Sequence, residues 1–220
     1  MRIAPSILAA DFAHLAEDVG RVSQDVELLH VDVMDGHFVP NISLGVPVVA
    51  SLRKVTDLFL DCHLMIDNPG DMLDAFVDAG ADGISVHVEL GDTVQLIERI
   101  RGRGVRVGLV ANPDTPFSAV EQFMGQIDTL LVMSVFPGFG GQAFIPEVLE
   151  TVRAAREFID RTGVPVEIEI DGGINAETVG SAAAAGADIL VAGSAVFGAD
   201  DPGAAARRLA ALAAEARPGA

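Results

Sequence analysis

Three short runs in this chain alternate apolar residues with groups able to bind a cation or carry a proton. The first is Leu29-His30-Val31-Asp32-Val33-Met34, followed by Asp35-Gly36. Side chains along a strand alternate faces, so His30, Asp32 and Met34 share one side while Val31 and Val33 take the other. Leu60-Asp61-Cys62-His63-Leu64-Met65 repeats the arrangement with Asp61, His63 and Met65, and Val166-Glu167-Ile168-Glu169-Ile170-Asp171 does so with Glu167, Glu169 and Asp171. A single histidine on such a face is ordinarily a hydrogen-bonded core residue. Two His and two Asp at matched strand positions point instead to coordination, because burying many ionisable groups is costly unless they pair or hold a cation. The expected ligand set is His30, Asp32, His63 and Asp171 around one divalent metal ion. Zn, Fe(II), Mn and Co all accept such a mixed nitrogen and oxygen shell.

Met34, Met65 and Met133 share the inward parity on their strands. Methionine is often plain core filler. Beside a metal it also makes a polarizable, water-excluding wall for a reaction that develops negative charge. Glycine-rich turns follow the late strands: Pro137-Gly138-Phe139-Gly140-Gly141-Gln142, then Asp171-Gly172-Gly173-Ile174-Asn175, then Ala192-Gly193-Ser194. Backbone amides in such turns, with a short helix after the last one, can grip a phosphate dianion without a lysine.

The elements that must position these groups are short Val, Ile and Leu runs, each followed by a helix-like segment, which is the signature of repeated βα units. Strands are expected to begin near Ile3, Leu28, Leu58, Gly83, Val105, Thr129, Val166 and Ile189. Helices are expected over 12–22, 46–53, 72–79, 93–101, 117–124, 147–161, 176–185 and 203–216. The phrase Ala-Gly-Ala-Asp occurs at both 79–82 and 185–188, each time with the glycine where a helix should exit in a left-handed conformation. No G-x-G-x-x-G follows the first strand, which argues against an open dinucleotide-binding sheet. The expected fold is α/β, a (β/α)8 TIM barrel forming a single domain over 1–220, with its site at the C-terminal mouth.

Composition narrows the partners. Fourteen Lys plus Arg against 32 Asp plus Glu give a formal net charge of -18, which argues against binding nucleic acid. No apolar stretch approaches the roughly 18 residues of a bilayer span, and Met1-Arg2-Ile3 leads directly into strand-like sequence, so a soluble, cytoplasmic protein without membrane contact is expected. Cys62 is the one cysteine, which excludes an intrachain disulfide and suits a reducing compartment. Lys54, the one lysine, sits in a helix-like stretch rather than at a strand end, which makes Schiff-base chemistry improbable.

The run from His30 to Asn41, His-Val-Asp-Val-Met-Asp-Gly-His-Phe-Val-Pro-Asn, together with Asp61-Cys62-His63-Leu64-Met65, Pro137-Gly138-Phe139-Gly140-Gly141-Gln142 and Asp171-Gly172-Gly173, resembles the ribulose-phosphate 3-epimerase family. The resemblance spans nearly the whole chain. It implies a sugar-phosphate substrate and interconversion of D-ribulose 5-phosphate and D-xylulose 5-phosphate through a cis-enediolate. It implies that His30, Asp32, His63 and Asp171 bind the metal, and that Asp32 and Asp171 double as the acid and base. Ser6, His63, Met34, Met65 and Met133 would line the substrate, while Gly138, Phe139, Gly140, Gly141, Gly172, Gly173, Gly193 and Ser194 would surround its phosphate. It further implies a homo-oligomer, dimer or hexamer. Phe136 departs from the pattern, since members of the family often carry a polar residue before this loop.

Two enzymatic alternatives and one binding alternative stand beside this expectation. An epimerase for allulose 6-phosphate would use the same groups, although Gly140 and Gly173 favour the pentulose substrate. A lyase of the decarboxylase and hexulose-phosphate synthase group needs Asp-x-Lys-x-x-Asp, and Leu52 stands two residues before Lys54. A non-catalytic sugar-phosphate binder would have no use for four ligands and two facing carboxylates.

Overall fold

A computed structural model describes residues 1–217. Eight parallel strands run β1 (Arg2–Pro5), β2 (Leu28–Met34), β3 (Phe59–Met65), β4 (Gly83–His87), β5 (Arg106–Ala111), β6 (Thr129–Met133), β7 (Glu167–Asp171) and β8 (Ile189–Ala192). The helices are α1 (Leu15–Val22), α2 (Val46–Leu52), α3 (Pro69–Ala79), α4 (Thr93–Gly102), α5 (Phe117–Val120), α6 (Leu149–Thr162), α7 (Val179–Ala185), α8 (Ser194–Phe197) and α9 (Pro202–Ala216). Strand order is β1-β8-β7-β6-β5-β4-β3-β2, so the sheet curls into a barrel whose seam lies between β1 and β2. A single parallel bridge, Ser6 to His30, spans that seam.

The alternation read from sequence sets which way each side chain faces. Val31, Val33, Cys62, Leu64, Ile168 and Ile170 enter the large core between barrel and helices. Their neighbours face the barrel axis, where small apolar clusters such as Val110, Leu131, Met133 and Val135 alternate with polar layers. β7 shows the layering in one strand. Glu167 closes the N-terminal end, its carboxylate gripped by Arg2 and by Arg106 at 2.7 Å, Glu169 lies fully buried in the middle, and Asp171 reaches the mouth.

The repeated Ala-Gly-Ala-Asp phrase does structural work at both places. Gly80 and Gly186 end α3 and α7 at φ 108° and 118°, values that favour glycine. The aspartate that follows turns back: Asp82 Oδ2 accepts the Leu60 N–H at 2.8 Å, and Asp188 Oδ2 accepts the Ile168 N–H at 3.0 Å. Arg53 pairs with Asp82 at 2.8 Å, while Arg156 and Arg217 pair with Asp188. Asp128 accepts the Val107 N–H at 2.8 Å in the same way. Each of these carboxylates caps an orphan amide where the preceding strand enters the barrel.

Several expected boundaries shift for identifiable reasons. The first expected helix is a 3-10 turn, Phe12–His14, capped by the Asp11 side chain, before α1 proper. α3 starts earlier than expected because Pro69 occupies its first turn, where a missing N–H costs nothing. α7 starts later, because the Asn175 side chain accepts from the Glu177 and Thr178 amides and holds that stretch as a turn. Lys54 lies exposed in the turn after α2 rather than within a helix. Among the described residues, no helix is long and apolar enough to cross a membrane.

Inside the barrel, Gly108 of β5 sits opposite Ser85 of β4, and a Cβ at 108 would fall 1.9 Å from Ser85 Oγ and 2.8 Å from its Cβ. We expect Gly108→Ala to lower unfolding free energy by about 1–3 kcal/mol, the cost of overpacking a tight core. Combining it with Ser85→Gly should recover most of the loss in urea denaturation, since the swap restores one side chain to the shared space.

Candidate active site

Strand parity brings the expected ligand set together at the mouth. His30 Nε2 lies 3.3 Å from Asp32 Oδ1, 3.4 Å from His63 Nδ1 and 4.0 Å from Asp171 Oδ2, and His63 Nδ1 lies 3.5 Å from Asp32 Oδ1. One donor atom from each of the four residues falls within 4.8 Å of all the others. Ligands around a tetrahedral ion with bonds of about 2.1 Å stand about 3.4 Å apart, so these separations suit a first-row divalent cation. Two carboxylates and two imidazoles also supply the charge and donor types such an ion takes. The cluster can therefore bind a metal.

Other side chains aim these ligands. The Ser6 hydroxyl donates to Asp32 Oδ2 at 2.5 Å, which leaves Oδ1 directed at the imidazoles. Ser43 from the following loop brackets the same strand end, donating to the Asp32 carbonyl at 2.6 Å and accepting from the Met34 amide at 2.9 Å. Beneath the site, His30 Nδ1 faces Glu169 Oε1 at 3.1 Å and Asp61 Oδ2 at 3.4 Å. A proton on Nδ1 shared with these carboxylates leaves Nε2 as the free donor atom, a tautomer assigned from its partners.

Electrostatics divide the two mouth carboxylates. Burial works to raise Asp32, but His30 and His63 beside it hold it far below the usual carboxylate range. Burial, and then the charge of Asp32, push Asp171 up to about 7. His30 is raised well above the ordinary imidazole value, its burial outweighed by Asp32, Asp61 and Glu169, while burial takes His63 down to about 4. In the layer beneath, burial and Asp61 push Glu169 up to about 8, whereas Asp61, opposed by burial but drawn down by His30, stays ionised. Two carboxyl groups in one cavity with separated proton affinities are the usual equipment of acid–base catalysis.

Above the ligands opens a cavity of about 500 Å³. Ser6, Asp32 and Asp171 line its floor, Met34, Met65 and Met133 its walls, and Gly138, Phe139, Gly140, Gly141, Gly172, Gly173, Gly193 and Ser194 its rim. The rim glycines are not interchangeable. A Cβ at Gly172 would meet Val135 at 2.6 Å, and one at Gly173 would meet the Phe144 backbone at 2.6 Å, both residues at positive φ. At Gly140 the nearest atom, on Leu8, is 4.0 Å away, so nothing there demands glycine sterically. The loop after β6 is held by Asn41, whose side chain donates to the Gly138 carbonyl at 2.8 Å, and by Gln142, which donates to the Phe136 and Phe139 carbonyls. Phe136 and Phe139 project into solvent from this loop, 53% and 55% exposed.

Not every motif residue reaches the site. Asp35 accepts from the amides of His37, Phe38 and Asp67, so it ties the loop after β2 to the loop after β3. His87 was not singled out by the sequence reading, yet it is fully buried and stands 2.9 Å from His63. Its signal was present: in Gly83-Ile84-Ser85-Val86-His87 it shares the inward parity of Ser85.

Comparison with solved structures defines the class first. The chain is similar to a crystal structure of 3-hexulose-6-phosphate synthase, with TM-score 0.71 and 21% identity, covering 96% of this chain and 99% of that one. It is also similar to a crystal structure of KGPDC from Streptococcus mutans, with TM-score 0.67 and 14% identity, covering 97% of each chain. At such identities the likeness speaks for the fold alone, an α/β barrel. The family comes from sequence. The model of the "Ribulose-phosphate 3 epimerase family" matches residues 2–197. A ribulose-phosphate 3-epimerase of Mycobacterium tuberculosis is 53% identical over 208 residues, 94% of this chain and 90% of its own length. One of Bacillus subtilis is 47% identical over 207 residues, 91% of this chain and 94% of its own. The chain belongs to the ribulose-phosphate 3-epimerase family.

Metal content tests the cluster directly. After equilibration with a divalent cation and desalting, elemental analysis should find about one ion per chain, as a single closed ligand set predicts. A His30→Ala, His63→Ala double variant should retain almost none.

Proposed function

We propose that this chain interconverts D-ribulose 5-phosphate and D-xylulose 5-phosphate by inverting C3. The observation that carries the reading is the placement of two carboxylates, buried Asp32 on β2 and part-buried Asp171 on β7, facing one cavity with β1 and β8 between them around the ring. Membership of the ribulose-phosphate 3-epimerase family supports the same reading.

A ketose phosphate has an acidified C3 hydrogen because the neighbouring C2 carbonyl takes up the charge. One aspartate removes that proton from one face, which leaves a cis-enediolate. The other aspartate delivers a proton to the opposite face, and the two exchange roles in the reverse direction. Burial and neighbouring charge make the two carboxyls unequal in proton affinity, Asp32 held low by His30 and His63 and Asp171 pushed up by burial and Asp32. Ser6 keeps the Asp32 carboxylate oriented toward the centre. His30, Asp32, His63 and Asp171 would hold a divalent ion (Zn, Fe(II), Mn or Co), which would supply Lewis acidity at the reacting end of the substrate. The walls formed by Met34, Met65 and Met133 exclude water from the charged intermediate. The glycine rim, from Gly138 through Gly141 with Gly172, Gly173, Gly193 and Ser194, takes the phosphate on backbone groups, consistent with a lysine-poor chain. Phe139 lines that end of the cavity.

The reading extends to one catalytic domain over 1–220, a cytoplasmic location and a homo-oligomer, dimer or hexamer. The buried free thiol of Cys62 supports a reducing compartment. A rice relative, 45% identical over 208 residues, carries the designation cytoplasmic isoform.

Incubation of the metal-replete protein with ribulose 5-phosphate in heavy water should yield xylulose 5-phosphate with deuterium at C3. Finding neither product nor label would sink the proposal. Asp32→Asn and Asp171→Asn should each lower kcat by about 10²–10⁴-fold, the usual worth of a positioned acid or base. Allulose 6-phosphate assayed in parallel should turn over more slowly.

A further inference from the structure

The metal ligand His63 is the first member of a buried chain that leads away from the site. Its Nδ1 faces the other ligands, and its Nε2 lies 2.9 Å from Nε2 of His87 on β4. The two ring planes differ by 25° and the centroids stand 5.0 Å apart. That separation is close to the nitrogen gap plus two ring radii, so the rings meet edge to edge along a hydrogen bond. Both side chains are fully buried. Beyond His87, Nδ1 lies 3.2 Å from Glu89 Oε2. The second oxygen of Glu89 accepts from the Asn112 amide at 2.9 Å and from the Thr115 hydroxyl. Phe38, from the loop after β2, covers the His87 ring at a centroid distance of 4.6 Å.

We propose that His87 and Glu89 are positioning residues that fix the tautomer of His63 and thereby its fitness as a metal ligand. Proton placement along the chain is forced from both ends. An imidazole that gives Nδ1 to a cation must carry its proton on Nε2. His87 Nε2, 2.9 Å away, must then accept, which puts the His87 proton on Nδ1. That proton needs an acceptor, and Glu89 provides one. Glu89 is an obligate acceptor here: burial would raise it, but its bonds to His87, Thr115 and Asn112 bring it down to about 2, and its other oxygen is already engaged by two donors. Inverting His87 alone would set two N–H groups against each other between the buried rings, and inverting both rings would set a bare His87 Nδ1 against the Glu89 carboxylate and a proton on His63 Nδ1 where the cation binds. Carboxylate–imidazole pairs behind metal ligands commonly act this way through one histidine. Here the polarity passes through two.

The inference rests on the metal centre described above and on no step of the sugar chemistry, so it is read by metal affinity. Glu89→Gln is the discriminating change. With Oε1 kept on the Asn112 and Thr115 donors, its amide N–H₂ faces His87 Nδ1 and favours the inverted tautomer, although residue 89 touches no ligand. We expect the dissociation constant for Co(II), measured by chelator competition, to rise about 10–100-fold in Glu89→Gln and in His87→Leu. The visible Co(II) spectrum should shift as the histidine ligation changes. His87→Gln, which returns an amide oxygen near the position of Nε2, should recover most of the affinity. Thermal unfolding of the metal-free proteins separates this from general damage, and Glu89→Gln carries the test alone if His87→Leu does not fold. Wild-type affinity and spectrum in Glu89→Gln would overturn the proposal, as would His87→Gln binding no better than His87→Leu. A wild-type protein that takes up no Co(II) would overturn the metal centre itself and this inference with it.

Discussion

The organising constraint of this molecule is the charge enclosed by its barrel. Asp32, Asp61 and Glu169 are buried about one fully buried histidine, His30, with Asp171 at the mouth. Isolated carboxylates in so dry a place are costly, and each opposite charge or proton nearby offsets part of that cost. The interior resolves the problem in layers. At the bottom Arg2 and Arg106 neutralise Glu167, in the middle Glu169 keeps a proton beside ionised Asp61, and at the top two imidazoles and two carboxylates form a nest of the size and charge of a divalent ion. Asp32 and Asp171, the proposed acid and base, thus belong to the same network that tolerates the enclosed charge.

This layering explains why a strongly acidic protein can receive an anionic substrate. The rim is built of glycine-rich backbone, while the negative charge is concentrated deeper, where the cation would sit. Gly172 and Gly173 fit tightly against Val135 and Phe144, so the turn after β7 and the loop after β6 are registered against each other. The cavity keeps its shape through that contact and through the side chains of Asn41 and Gln142.

Much of this was legible in the residues. Alternation along three strands was enough to name His30, Asp32, His63 and Asp171 as one cluster, because a parallel barrel leaves a strand residue only two directions. The Ala-Gly-Ala-Asp echo marked real helix exits, though sequence could not show that its aspartates cap strand amides. His87 escaped because its strand carries no carboxylate, and its partner Glu89 lies beyond the strand end in a 3-10 turn. Asp35 sits inside a chemistry-rich motif yet serves only the loops, a division visible only once its three amide donors are located. The first and seventh helices start late where one side chain, Asp11 or Asn175, captures backbone amides locally, and α3 starts early where Pro69 takes its first turn.

The seam has a consequence for how the protein comes into being. Its first strand, residues 2–5, pairs with 189–192, and the neighbouring Ser6 supplies both the lone stitch to His30 and the hydroxyl that steers Asp32. Residues 2–5 must wait for residues 189–192 before they can dock, a contact of very long sequence separation. Until that seam closes, the Asp32 carboxylate lacks the Ser6 hydroxyl that orients it. Closure of the cylinder and orientation of that carboxylate therefore arrive together.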